Sequence, residues 1–160
     1  MTPETKKSGL HATTVQLRGR GVMILGPSGA GKSELALVLL ERAHLRREDA
    51  FLVADDRTLL RVTGGKLVAS VPPRLAGGVE VRGAGLFRIP FVAETPLDLV
   101  VMLVGRDEAE RYPGGGTWRF DGMEVLRLLL PALSENGDSN ALSRAVEATL
   151  FGTPWSPPAG

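Results

Sequence analysis

The stretch that decides the fold is "GVMILGPSGAGKSE", residues 21–34. A short apolar run, a strand by its β-branched and aliphatic content, meets a glycine-rich turn, and a helical pattern follows. The turn fits G-x-x-x-x-G-K-[ST], with Gly26, Gly31, Lys32 and Ser33 at the fixed places and Pro27, Ser28, Gly29 and Ala30 between them. A loop that wraps a polyphosphate must present backbone N–H groups, and side chains would block the approach; some positions also need positive φ. The helix that starts there adds about half a positive charge facing the anion. In such a loop the lysine reaches the terminal phosphates and the serine hydroxyl can ligate Mg²⁺. An ordinary glycine-rich turn would share the composition. Pattern and flanking context together point to a nucleoside triphosphate, ATP first.

Outward from the loop, residues 32–47 read as a buried helix, because leucine and alanine nearly encircle it. Upstream, "TTVQL" and "VMIL" are strands joined by the turn "RGRG". Downstream, "FLVA" is a buried strand that ends in Asp55 and Asp56. "TLLRV" and "KLVASV" form a hairpin across Gly64 and Gly65, stopped by Pro72 and Pro73. "VEVRG" alternates, with Val79 and Val81 inward and Glu80 and Arg82 outward. Residues 97–104 are a third buried strand, and "YPGGGTW" is a loop. Two helices are predicted at residues 122–130 and 139–150, the second capped by Ser139. A strand–helix–strand opening followed by hairpins predicts an α/β, P-loop-containing domain with a mixed β-sheet and flanking helices. The domain is placed at residues 10–151, with a flexible N-terminus at 1–9 and a flexible Pro-rich tail at 152–160.

The chain of 160 residues can bury a sizeable core, with roughly 70% of the unfolded surface removed from water. Its formal net charge of +1 offers no strong field toward nucleic acid or membrane. It has no cysteine, which excludes disulfides, thiol catalysis and zinc–thiolate sites. No apolar run approaches the ~20 residues of a membrane span, and the N-terminus lacks the apolar core of a signal peptide. A soluble cytoplasmic protein is expected.

A P-loop alone does not name a reaction. Two aspartates at the end of a buried strand could divide the work, one accepting a hydroxyl proton and one serving the metal or positioning groups. The same residues could simply begin a turn. By pattern alone Glu80 reads as a solvated strand position, His11 as structural or exposed, and His44 as surface.

These residues together resemble the catalytic domain of HPr kinase/phosphorylase. The resemblance is carried by "LHATTVQLRGRGVMILGPSGAGKSELALVLLER", "LVADD" and "EVRGAGL", covering about residues 10–104. His11 lies fifteen residues before Gly26, "GKSE" accounts for Glu34, and residues 80–85 are similar to a signature E-[IV]-R-G-x-G. The resemblance implies an ATP- and Mg²⁺-dependent kinase that phosphorylates a serine of the phosphocarrier protein HPr, with a reverse phosphorolysis. It further implies that Lys32 holds phosphate, that Ser33 and Glu80 ligate Mg²⁺, and that His11 stands near the phosphate. It makes Asp55 the general base, or the acid in reverse, and Asp56 its support. Arg82, Gly83 and Gly85 fall in the signature loop. It implies the compact form of the family, without an N-terminal domain, and leaves room for a homo-oligomer. The family's later arginine-bearing segment has no match; Arg106, Arg111 and Arg119 lie in that general region.

Two rival readings stand beside it. A small-molecule or nucleotide kinase would share the P-loop but has no place for "LVADD" and "EVRGAG". A nucleotide-binding regulatory module without transfer activity would fit the missing arginine segment but not the retained Lys32, Asp55 and Asp56.

Overall fold

The computed structural model describes residues 8–159. Eleven strands and two longer helices follow one another along them: β1 (Ser8–Leu10), β2 (Ala12–Leu17), β3 (Arg20–Leu25), α1 (Lys32–Leu45), β4 (Ala50–Ala54), β5 (Thr58–Thr63), β6 (Lys66–Ser70), β7 (Gly78–Val81), β8 (Gly85–Arg88), β9 (Glu94–Val104), β10 (Thr117–Phe120), β11 (Met123–Pro131) and α2 (Ser139–Phe151). Nine strands make one mixed sheet in the order β1-β5-β6-β9-β3-β2-β4, with β11 also on β9 and β10 on β11; β7 and β8 form a separate hairpin.

Strand direction places the site. β2 is antiparallel to both β3 and β4, with Ala12 opposite Leu25 and Thr14 opposite Ala54. The start of β2 therefore lies beside the ends of β3 and β4. β9 is parallel to β3, and β11 is parallel to β9, so their ends Val104 and Pro131 reach the same edge. Ligands of open α/β sheets bind at that carboxyl edge.

The sheet is packed on both faces. Val15 and Leu17 of β2, Val22 and Ile24 of β3, and Leu99, Val101 and Leu103 of β9 face α1 and α2 in one buried cluster. The alternate residues Met23 and Val100 turn to a second cluster with Leu60, Leu67 and Val125, covered by Trp118 and Phe120. α1 buries Leu35, Ala36, Leu39, Leu40 and Ala43, and it is tied to α2 by ion pairs from Arg42 and Arg46 to Glu147. The Arg46 guanidinium is held above its ordinary range, chiefly by its hydrogen bond to Glu48.

Four expectations are corrected. Residues 122–130 are not a helix but most of β11. Asp121 and Gly122, both at positive φ, close a two-residue hairpin from β10, with Phe120 opposite Met123. "DG" between apolar residues is a strong hairpin signal, and the free edge of β9 completes the strand. "YPGGGTW" is accordingly a loop only to Gly116, since Thr117 and Trp118 belong to β10. The cap of α2 is Asp138, whose carboxylate accepts from the Asn140 amide, and Ser139 is the first helical residue. Ser8 and Gly9, expected in a loose N-terminus, pair with Leu60 and Leu59 as part of β1; residues 1–7 lie outside the described residues. Residues 152–159 carry no regular structure and are exposed.

Candidate active site

The phosphate loop connects β3 to α1. Gly31 caps the helix at φ 100°, and a Cβ there would stand 2.5 Å from the Leu133 side chain, so only glycine fits. The loop is braced from both sides: the Ala30 amide donates to the Pro27 carbonyl, and the Leu133 amide donates to the Ala30 carbonyl. Lys32 is only 6% exposed, and its ammonium donates to the Gly26 carbonyl at 2.9 Å and the Pro27 carbonyl at 3.1 Å. The cation thus bridges the start of the loop from the first residue of α1. A cavity of about 300 Å³ opens beside Pro27, at the ends of β9 and β11. A larger hollow of about 480 Å³, lined by Gln16 and Arg18, is at the other end of β2 and plays no part in this edge.

Asp55 and Asp56 follow β4 and begin a turn, as one reading expected, and Asp55 also stands against the loop serine. The Arg57 amide donates to the Asp55 carbonyl, and Asp56 adopts φ 61°, a conformation aspartate tolerates better than most residues. The two side chains part there. Asp55 turns inward: its Oδ1 accepts from the Ser33 hydroxyl at 2.5 Å and the Thr13 hydroxyl at 3.1 Å, and its Oδ2 accepts from the Glu80 amide at 2.9 Å. Asp56 turns outward, 62% exposed, with Oδ1 3.1 Å from Nε2 of His11.

His11, the loop of residues 26–33, and the adjacent Asp55 and Asp56 are therefore brought together from three separate stretches of chain. Glu80 joins through its backbone amide, while its side chain is exposed. The signature residues Arg82, Gly83 and Gly85 form and follow the tip of the β7–β8 hairpin. Gly85 stands at φ 120°, which demands glycine. Arg82 is exposed there. Of the three unmatched arginines, Arg106 follows β9 at the loop edge, Arg111 lies over the Tyr112 ring, and Arg119 pairs with Glu124 on the β10–β11 hairpin. His44 is exposed, as expected, with a ring nitrogen 2.9 Å from the Ala50 carbonyl oxygen.

Sequence reading missed Thr13, Thr14 and Thr58, all fully buried. Thr14 and Thr58 share a hydrogen bond, and Thr58 donates to the Ala12 carbonyl, joining β2 to β5. The available signal was "TT" in a strand buried on both faces, where a hydroxyl is costly without a partner.

The Ser33 hydroxyl and the Asp55 carboxylate supply adjacent hard oxygen donors beside the phosphate loop, which suits Mg²⁺. Among the described residues no group of three or more His, Cys, Asp or Glu could hold a metal alone. Mg²⁺ fits this arrangement, because it usually takes one or two carboxylates together with substrate phosphates and water. No described helix is long and apolar enough to cross a membrane.

A buried strand entering a phosphate loop and helix, with carboxylates at the end of a nearby strand, defines a P-loop nucleotide-binding fold. Residues 4–114 match the family model of the HPr Serine kinase C-terminal domain, and the chain belongs to that family. It is 36% identical over 160 residues to the HPr kinase/phosphorylase of Aromatoleum aromaticum, covering 92% of this chain and 49% of that protein. Against the HPr kinase/phosphorylase of Mycoplasma mycoides subsp. mycoides it is 32% identical over 151 residues, 85% of this chain and 46% of that protein. The chain thus spans about half the length of these curated relatives. The Hpr(Ser) kinase/phosphatase structure from Coxiella burnetii shares the fold, with a TM-score of 0.75 over 90% of this chain and 91% of that one at 23% identity.

Proposed function

We propose that this chain is an ATP- and Mg²⁺-dependent kinase that transfers the terminal phosphoryl group of ATP to a serine of HPr, and that the same site runs the reverse phosphorolysis. The observation that carries this is the convergence at one sheet edge of a phosphate loop, a carboxylate bonded to the loop serine, and a second, outward carboxylate paired with a histidine. A module that only binds nucleotide has no need of the outward pair.

Position supports a role for each of these residues. Lys32 would exchange its loop carbonyls for phosphate oxygens, and the first turn of α1 would present amides to the same anion. Mg²⁺, when bound, would neutralise charge on the transferred phosphoryl; Ser33 and Asp55 are placed to hold it, with Glu80 adjacent. The family resemblance makes Asp55 the base, but the hydrogen bonds favour the reverse division. Asp55 already accepts three, from Ser33, Thr13 and the Glu80 amide, whereas Asp56 is open to an incoming hydroxyl. In this reading Asp56 takes the serine proton, His11 orients it, and Asp55 serves the metal side.

The test is transfer from labelled ATP to purified HPr, with the ATP dissociation constant measured alongside, in wild type, Asp55→Asn and Asp56→Asn. Asp56→Asn should lower transfer by ~10²–10⁴ with Mg²⁺–ATP affinity kept, the usual share of general-base catalysis. Asp55→Asn should weaken Mg²⁺–ATP binding as well as transfer. The opposite pattern returns the base to Asp55. A wild type that binds ATP but transfers nothing to HPr makes the protein a binding module.

A further inference from the structure

Thr13 is fully buried on β2, on the same face as Val15 and Leu17, which pack against the helices. An apolar residue of the same shape would suit that face. Its hydroxyl instead meets both aspartates: it donates to Asp55 Oδ1 and accepts from the Asp56 amide, each at 3.1 Å. A hydroxyl has one proton and free lone pairs, so the two bonds are compatible and define its orientation. The bond to the Asp56 amide holds that residue at positive φ, and the bond to Asp55 keeps that carboxylate against Ser33.

We infer that Thr13 is a positioning residue for phosphoryl transfer, setting the divergence between the inward Asp55 and the outward Asp56. Its hydroxyl acts through the two aspartates, by the Asp55 carboxylate and the Asp56 backbone amide. The inference rests on the kinase function proposed above. Thr14 supplies an internal contrast. Its buried hydroxyl bonds Thr58, which bonds the Ala12 carbonyl, and neither bond involves an aspartate.

The experiment compares Thr13→Val, Thr13→Ser and Thr14→Val with wild type by steady-state transfer to HPr and by amide hydrogen exchange at Asp56 and Glu80. Thr13→Val should lower kcat ~10–100-fold with KM for ATP within about threefold, the size expected when a reacting group is misplaced by a fraction of an ångström to one ångström. It should also lose protection at the Asp56 amide and, because Asp55 loosens, at the Glu80 amide. Thr13→Ser should restore both readouts. Thr14→Val should lower the melting temperature and leave kcat within about threefold, since nothing near the reacting groups moves. If Thr13→Val does not fold, Thr13→Ala carries the same readouts. A Thr13 variant with wild-type kcat despite an unprotected Asp56 amide overturns the inference, as does an equal loss in Thr14→Val. If wild type transfers nothing to HPr, the function proposal fails by itself. The positioning claim is then decided at Glu80: reduced protection in Thr13→Val supports it, and unchanged protection ends it.

Discussion

Lys32 shows how much one side chain carries here. Its ammonium is nearly buried and, among the described residues, donates to two loop carbonyls, so the folded protein holds a cation at the mouth of its own anion site. Lys32→Ala should abolish transfer from ATP to HPr, because no other group replaces the charge matched to the phosphates. Weak nucleotide binding should persist on the backbone amides. Labelled-ATP transfer and a nucleotide titration measure the two separately, and unchanged turnover would remove Lys32 from the reaction. At this scale the motif residues were legible in the sequence, since the phosphate loop is a local arrangement whose glycines and cation are dictated by the ligand. The partners of Asp55 were not legible. Thr13, Ser33 and the Glu80 amide are 42, 22 and 25 residues away along the chain.

Local chemistry decides most elements. β5 and β6 pair across Gly64 and Gly65 as expected, with Thr63 opposite Lys66. The β10–β11 segment shows how a weak signal is overridden. "MEVLRLLLP" is rich in helix-forming leucine, yet its register with β9 runs from Leu126 opposite Leu99 to Pro131 opposite Val104. Helix propensity is worth a few tenths of a kcal/mol per residue and yields to strand pairing of that length. The turn should be sensitive: Gly122→Val, at φ 78°, should destabilise by about 1–2 kcal/mol. A urea midpoint equal to wild type would show that the hairpin tolerates another turn. At the other helix, Asp138→Ala should cost about 1 kcal/mol, read as a lower melting temperature, with Asp138→Asn close to neutral. If Ser139 were the effective cap, Asp138→Ala would change little.

At the scale of the molecule, the central strands β9, β3 and β2 are covered by helices on one face and by hairpins on the other. Leu99, fully buried in the middle of β9, touches the helix-side cluster. Leu99→Ala should therefore cost about 2–5 kcal/mol by urea unfolding, because the surrounding strands relax only in part. A loss below 1 kcal/mol would mean that the sheet collapses around the cavity. The active edge depends on this packing, since it forms only where β2 begins and β3, β4, β9 and β11 end.

By itself the sequence determined the phosphate loop, the strand before it, the helix after it, the aspartate-ended strand and membership of a kinase family. Each rests on short-range chemistry: glycine at positive φ, a helix terminus facing an anion, apolar runs of strand length. The tertiary structure alone decided that residues 122–130 join a strand, that Thr13 ties both aspartates, and that Asp55 faces Ser33 while Asp56 faces His11. These depend on which strand lies beside which. Side-chain period two fixes a face but not a neighbour, and the antiparallel pairing of β2 with both β3 and β4 is what brings His11, Thr13, Ser33 and the aspartates to one place.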